Sequence, residues 1–95
     1  MKAIYTEGAL ADLAEIFEYQ TEHWPMVRAP FEARLSAIER HILQFLDAAP
    51  EVATLPGVRV VSFVVYPYRL FYQRTANGIE ILFIHHTSRR PWYQG

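Results

Sequence analysis

Asn77-Gly78 stands between two β-rich runs, Val65-Tyr66-Pro67-Tyr68-Arg69-Leu70-Phe71-Tyr72-Gln73 before it and Ile79-Glu80-Ile81-Leu82-Phe83-Ile84-His85-His86 after it. This constrains the fold more than any other feature of the chain. An Asn-Gly pair in that setting is the strongest short-range hairpin signal, because both central residues of a type I′ turn need φ > 0. With Asn77 and Gly78 as the two loop residues, Ala76 faces Ile79, and counting back pairs Arg74 with Ile81, Tyr72 with Phe83 and Leu70 with His85. The opposite face then pairs Thr75 with Glu80, Gln73 with Leu82, Phe71 with Ile84 and Arg69 with His86. The first set is mostly apolar and is expected to meet the main core, and the second to form the more open face. In this register Arg69 and His86 stand side by side, with Cβ atoms roughly 4.5–5.5 Å apart.

Upstream, Ala3 to Tyr5 reads as a short first strand, and Thr6 is a good N-cap for a following helix. Leu10, Leu13, Phe17 and Trp24, with Ala14 between, recur at helical spacing from about Gly8 to His23, and the pattern stops before Pro25. A second helix is expected from Pro30, tolerated in a first turn, with Leu35, Ile38, Ile42, Phe45 and Leu46 as its buried stripe and Asp47-Ala48-Ala49-Pro50 as its end. Two helices joined by so short a link are expected to pack antiparallel. From Val58 the period changes to two, giving strands over Val58 to Val65, Tyr68 to Thr75 and Ile79 to His86. The order β-α-α-β-β-β is α+β: an N-terminal strand and a helical hairpin packed on a small antiparallel sheet.

Ninety-five residues with 52% apolar and 15% aromatic content supply one compact core, so residues 1–95 are read as a single domain. There is no cysteine, which excludes disulfides, thiolate metal sites and thiol nucleophiles. The N-terminus turns acidic at Glu7 before any signal-peptide core forms, and no apolar run approaches the roughly 20 residues a membrane span needs. A soluble, unprocessed, cytoplasmic protein without membrane contact is expected. The formal charge of −1 argues against a broad electrostatic grip on nucleic acid. Five arginines (Arg59, Arg69, Arg74, Arg89 and Arg90) nevertheless lie beyond Pro50, where Glu51 and Glu80 are the only acids, so a local basic site stays open.

Ala9, Asp12, Leu13, Ile16 and Tyr19 in the first helix, Pro56-Gly57-Val58-Arg59 leading the second strand, Tyr68-Arg69-Leu70-Phe71-Tyr72 in the third, and Ile81 to His86 followed by Arg89 form one set of features. Together they resemble the RelE/ParE superfamily of toxins from bacterial type II toxin–antitoxin modules. The likeness spans essentially the whole chain and includes the order of elements. It implies a cytoplasmic toxin held inactive by a small antitoxin, its partner in a hetero-oligomer. One branch of the superfamily cuts mRNA on the ribosome with arginine, lysine, histidine or tyrosine groups, and the other poisons DNA gyrase. Arg69 matches the arginine that contacts the scissile phosphate in the ribonuclease branch, and Arg89 and His86 fall where that branch carries further catalytic groups. Val60 and Ser62 stand where it carries lysines. The Pro56-Gly57-Val58-Arg59 lead-in and the His-x-x-Arg ending are closer to the ParE side, so gyrase inhibition by binding is favoured. Ribosome-dependent mRNA cleavage is the alternative.

If the chain is a ribonuclease, Arg69 stabilises the phosphorane, His86 serves as base and Arg89 assists, a metal-independent set. The bland reading makes Arg69 part of an exposed sheet face, stacked on an aromatic or paired to Glu80 or the C-terminal carboxylate. Neither a metal nor another cofactor is called for, because His85 and His86, adjacent in a strand, point to opposite faces. Arg89, Arg90, Trp92 and Tyr93 join cations and aromatics and are the candidate target-binding residues. Trp24, Met26 and Phe31, around the helix link, are the candidate antitoxin-binding patch, although core packing of Phe31 is the better default.

Overall fold

The computed structural model describes residues 1–88. Strand β1 covers Lys2–Tyr5, helix α1 Glu7–His23 and helix α2 Arg28–Gln44, with a 3-10 turn, Pro25–Val27, between the helices. Strands β2 (Val58–Ser62), β3 (Tyr68–Thr75) and β4 (Gly78–His86) follow. The order across the sheet is β1-β4-β3-β2. The β3–β4 pair is antiparallel, as the hairpin argument requires, the β2–β3 pair is antiparallel too, and β1 joins the free edge of β4 in parallel.

Local chemistry accounts for the helix ends. The Thr6 hydroxyl accepts the Ala9 amide at 3.0 Å, a side-chain N-cap, and the same oxygen donates to the Leu82 carbonyl at 3.0 Å. The start of α1 is thereby fastened to β4. Pro25 ends the helix, since the residue before a proline is pushed out of helical geometry, and Trp24 takes φ −144°. The second helix begins at Arg28, two residues before the expected Pro30, and Pro30 still lies in its first turn.

The hairpin register differs from the sequence expectation in two ways. Thr75 pairs with Gly78, so the loop residues are Ala76 and Asn77, and Asn77 does not adopt positive φ. Gly78 is needed for a tertiary reason instead. A Cβ built there falls 2.1 Å from the Lys2 carbonyl oxygen, so only glycine lets β1 come this close, and its φ is +149°. The resulting shift of two leaves the faces unchanged, and Leu70, Tyr72, Ile79 and Ile81 line the main core as expected. The second difference is a β-bulge. Tyr72 pairs with Ile81 but Phe71 with Phe83, leaving Leu82 as an extra residue on β4. Every β4 side chain beyond it changes face: Ile84 joins the main core, and Phe83 packs on the outer face with Phe71 and Leu82.

The main core lies between the helices and the sheet. Ala9, Ile16 and Gln20 of α1 and Phe31, Leu35, Ile38 and Ile42 of α2 are its buried helical residues. The inward face of α1 is therefore rotated from the one expected, and Leu10 and Trp24 are exposed. Phe31 lies at the centre of an aromatic group, stacked on Phe63 (centroids 5.2 Å apart, planes 6° apart) and edge-on to Tyr66 and Tyr68 at 5.4 and 5.6 Å. Among the described residues no helix is long and apolar enough to cross a membrane.

Candidate functional site

Arg69 and His86 do not form a site. Arg69 pairs with His85, and His86 pairs with Tyr68. Alternate residues of a strand point to opposite faces, so the bulge at Leu82 separates the two groups by the thickness of the sheet. The side-by-side placement expected from the sequence is corrected on this ground. Arg69 lies on the outer face, where the His85 ring packs against Phe71 and Phe83 with centroids 5.7 and 5.3 Å away. His86 lies on the helix side, edge-on to Tyr68 at 5.2 Å. The Ser88 amide donates to His86 Nδ1 at 3.1 Å, and the Ser88 hydroxyl lies 2.6 Å from the same nitrogen. With Nδ1 accepting from the chain's own turn, the neutral ring carries its proton on Nε2, which makes that nitrogen a donor rather than a base.

The other arginines of the C-terminal half divide clearly. Asp47, just beyond α2, binds Arg74 Nη1 at 2.9 Å and lies 3.8 Å from Arg59 Nε. Arg59 Nη1 also donates to the Asp47 and Ala49 carbonyls at 3.0 and 2.6 Å. These two cations hold the end of α2 to the sheet. Glu80 accepts from Gln73 at 2.9 Å and does not pair with Arg69. Among the described residues Arg69 has no ionic partner. Arg89, Arg90, Trp92 and Tyr93 lie outside the described residues.

Of the expected antitoxin patch, Trp24 is 59% exposed and Met26 89%. Phe31 is 0% exposed, and its place in that patch is corrected: its four aromatic neighbours occupy the ring completely. Its contribution is to support Tyr66 and Tyr68 from beneath.

Those two tyrosines form one wall of a cavity of about 590 Å³ between α1 and the sheet. The opposite wall is a single face of α1, with Asp12, Glu15, Ile16, Tyr19 and Gln20 at helical spacings of three and four. Trp24, His86 and Ser88 also line it. Burial, with the nearby Tyr19 phenol adding to it, pushes the Tyr68 phenol above its ordinary value, so Tyr68 stays a neutral donor. Sequence reasoning missed this cavity. The signal was the i, i+3, i+4, i+7 series beginning at Asp12, hidden because the larger Leu10 and Trp24 suggested a different inward face.

The model of the ParE toxin of type II toxin–antitoxin systems (parDE) matches residues 3–91 of the chain. The chain belongs to the ParE toxin family. A solved structure of the chromosomal ParDE toxin–antitoxin system from P. aeruginosa aligns over 90% of this chain and 95% of its own, with a TM-score of 0.68 and 23% identity. At that identity the likeness carries the fold alone, and the fold agrees: an N-terminal strand, a helical hairpin and a four-stranded sheet. No curated protein matches. The ParE assignment therefore rests on the family model over almost the whole chain, and as a ParE toxin the chain is one half of a type II toxin–antitoxin module.

Proposed function

We propose that this ParE toxin acts in the cytoplasm by binding DNA gyrase, arrests growth by trapping it, and is neutralised by a cognate antitoxin that covers the helix link. Family membership supports the gyrase target, and one observation in the fold favours a binding mode over RNA cleavage. The two groups that a metal-free ribonuclease would need together, Arg69 and His86, lie on opposite faces of the sheet. Val60 and Ser62 also bring no lysine to β2. A metal-free RNA-cleaving site needs a base at the 2′-hydroxyl and a cation at the same phosphate, and these residues do not converge on one point. Exposed Trp24 and Met26 supply the apolar anchors through which an amphipathic antitoxin segment, folding as it binds, would be held.

The experiment compares supercoiling and cleavage-complex trapping by purified gyrase, with and without the toxin, against RNA-end sequencing after induction in cells. Trapped gyrase with intact mRNA is the expected result. Ribosome-dependent cuts that vanish in both Arg69→Ala and His86→Ala would replace this reading with the ribonuclease one.

A further inference from the structure

We infer that the cavity between α1 and Tyr66–Tyr68 is a receptor for an arginine side chain carried by a bound polypeptide. The inference rests on the reading of the chain as a toxin held by a protein partner, but its test needs no partner. Three independent features of the cavity point to one ligand chemistry.

The first is charge. Asp12 and Glu15 both line the cavity, and among the described residues no lysine or arginine does. Asp12 uses Oδ2 to accept the Ile84 amide at 2.9 Å. Among the described residues, its other oxygen and the whole Glu15 carboxylate have no cationic partner, so they present negative charge at the mouth of a partly desolvated space. The second feature is the wall of aromatic faces. Tyr19, Trp24, Tyr66 and Tyr68 all line the cavity, and Tyr19 and Trp24 pack edge-on at 5.8 Å. A guanidinium is planar, weakly hydrated and stacks on such rings, whereas an ammonium is a strongly hydrated point charge.

The third feature is Gln20. It is only 3% exposed, lines the cavity, and its Oε1 has no hydrogen-bond partner among the described residues. A buried acceptor left unsatisfied is costly, so such a group is expected to find a donor. The terminal torsion of a glutamine is broad, and a small rotation presents the oxygen to a donor within the cavity. Arginine brings five N–H donors in a fixed fork, enough to reach Gln20 and a carboxylate together. The cavity is larger than one side chain, which leaves room for the residues flanking that arginine and argues for a polypeptide rather than a free ion.

The test follows the Trp24 indole signal by NMR in the full chain, assigned with Trp24→Phe, during titration with N-acetyl-arginine methylamide. The matched probe is N-acetyl-citrulline methylamide, which keeps the shape and loses the charge. Saturable binding of the arginine probe is expected with a dissociation constant of about 1 mM, and citrulline is expected to bind at least about tenfold more weakly. Glu15 is exposed and makes no described contact, so Glu15→Gln should weaken arginine binding about threefold without disturbing the fold. Equal binding of the two probes, an unchanged affinity in Glu15→Gln, or no saturable shift would each overturn the inference. If the adjacent gene rescues growth while arginine fails to bind, the antitoxin reading stands and the cavity inference alone falls.

Discussion

The Ile84 amide donates to Asp12 Oδ2 at 2.9 Å, and this bond lies where strand β1 stops covering the edge of β4. As far as Tyr5 the β4 edge is paired by β1, and the Thr6 amide then reaches the Ile81 carbonyl at 3.0 Å. Thr6 Oγ1 takes the Leu82 carbonyl and Asp12 takes the Ile84 amide, so two side chains of the α1 segment continue a ladder that the backbone has ended. The same helix turn places Glu15, Tyr19 and Gln20 over the cavity.

Removing that acceptor leaves the amide of a fully buried residue unpaired. Asp12→Ala is expected to cost about 1–3 kcal/mol in urea denaturation, whereas Asp12→Asn, whose amide oxygen still accepts, should cost about 1 kcal/mol or less. Equal losses in the two variants would mean that the carboxylate charge, not the hydrogen bond, holds α1 to β4.

Gly78 makes the second contact between the termini of the fold. Any Cβ there meets the backbone of Lys2, which cannot move without unpairing β1. Gly78→Ala is therefore expected to destabilise the chain by roughly 2–4 kcal/mol and to speed hydrogen exchange at the Thr6 amide. Asn77→Ala, at a loop position without positive φ, should have little effect on either measurement.

The positions of Gly78 and Leu82 show where the sequence was legible. Element order, the Thr6 cap, the stop before Pro25 and the full extent of β3 follow from local signals, and the structure repeats them. The register did not follow, because the glycine in Asn-Gly answers to Lys2, some seventy-six positions away, rather than to its own turn. The bulge at Leu82 has no composition of its own, yet it moves His86 to the helix side and leaves Arg69 on the other. In α1 the bulky Leu10 and Trp24 imply one inward face, while packing against β4 selects Ala9, Ile16 and Gln20. A small residue fits at Ala9 because the start of the helix is fastened to the edge of β4, a tertiary circumstance that periodicity cannot report.

Tyr5 gives a pH-dependent test of the β1–α2 contact. Its hydroxyl donates to Glu39 Oε1, and burial first, then the hydrogen bond and charge of Glu39, push the phenol far above its ordinary value. A folded-state value raised above the unfolded one means that the native state keeps its proton while the unfolded chain releases it. Stability is therefore unaffected by this group below about pH 10 and falls as pH rises beyond that value. Urea midpoints measured from about pH 8 to about pH 11 should decline more steeply in wild type than in Tyr5→Phe, which has no proton to release. Parallel curves would show that Tyr5 ionises in the native state as readily as in the unfolded one.

The last prediction places the toxic determinant beyond the sheet. The four described strands end at or before His86, and the described buried residues of the main core end at Ile84. A chain stopped after Ser88 loses Arg89, Arg90, Trp92 and Tyr93 but keeps the described fold, the Trp24–Met26 patch and the cavity. Circular dichroism should show the secondary structure retained, while growth arrest on induction and trapping of gyrase both fall sharply. Binding to a cognate antitoxin should persist, because the surface proposed for that partner is intact. Cations and aromatics in one short segment suit an anionic target surface, and their removal separates poisoning from neutralisation within a single molecule. A folded truncation that still arrests growth would move the determinant back onto the described surface, where Arg69, among the described residues a cation without an ionic partner, becomes the next residue to test.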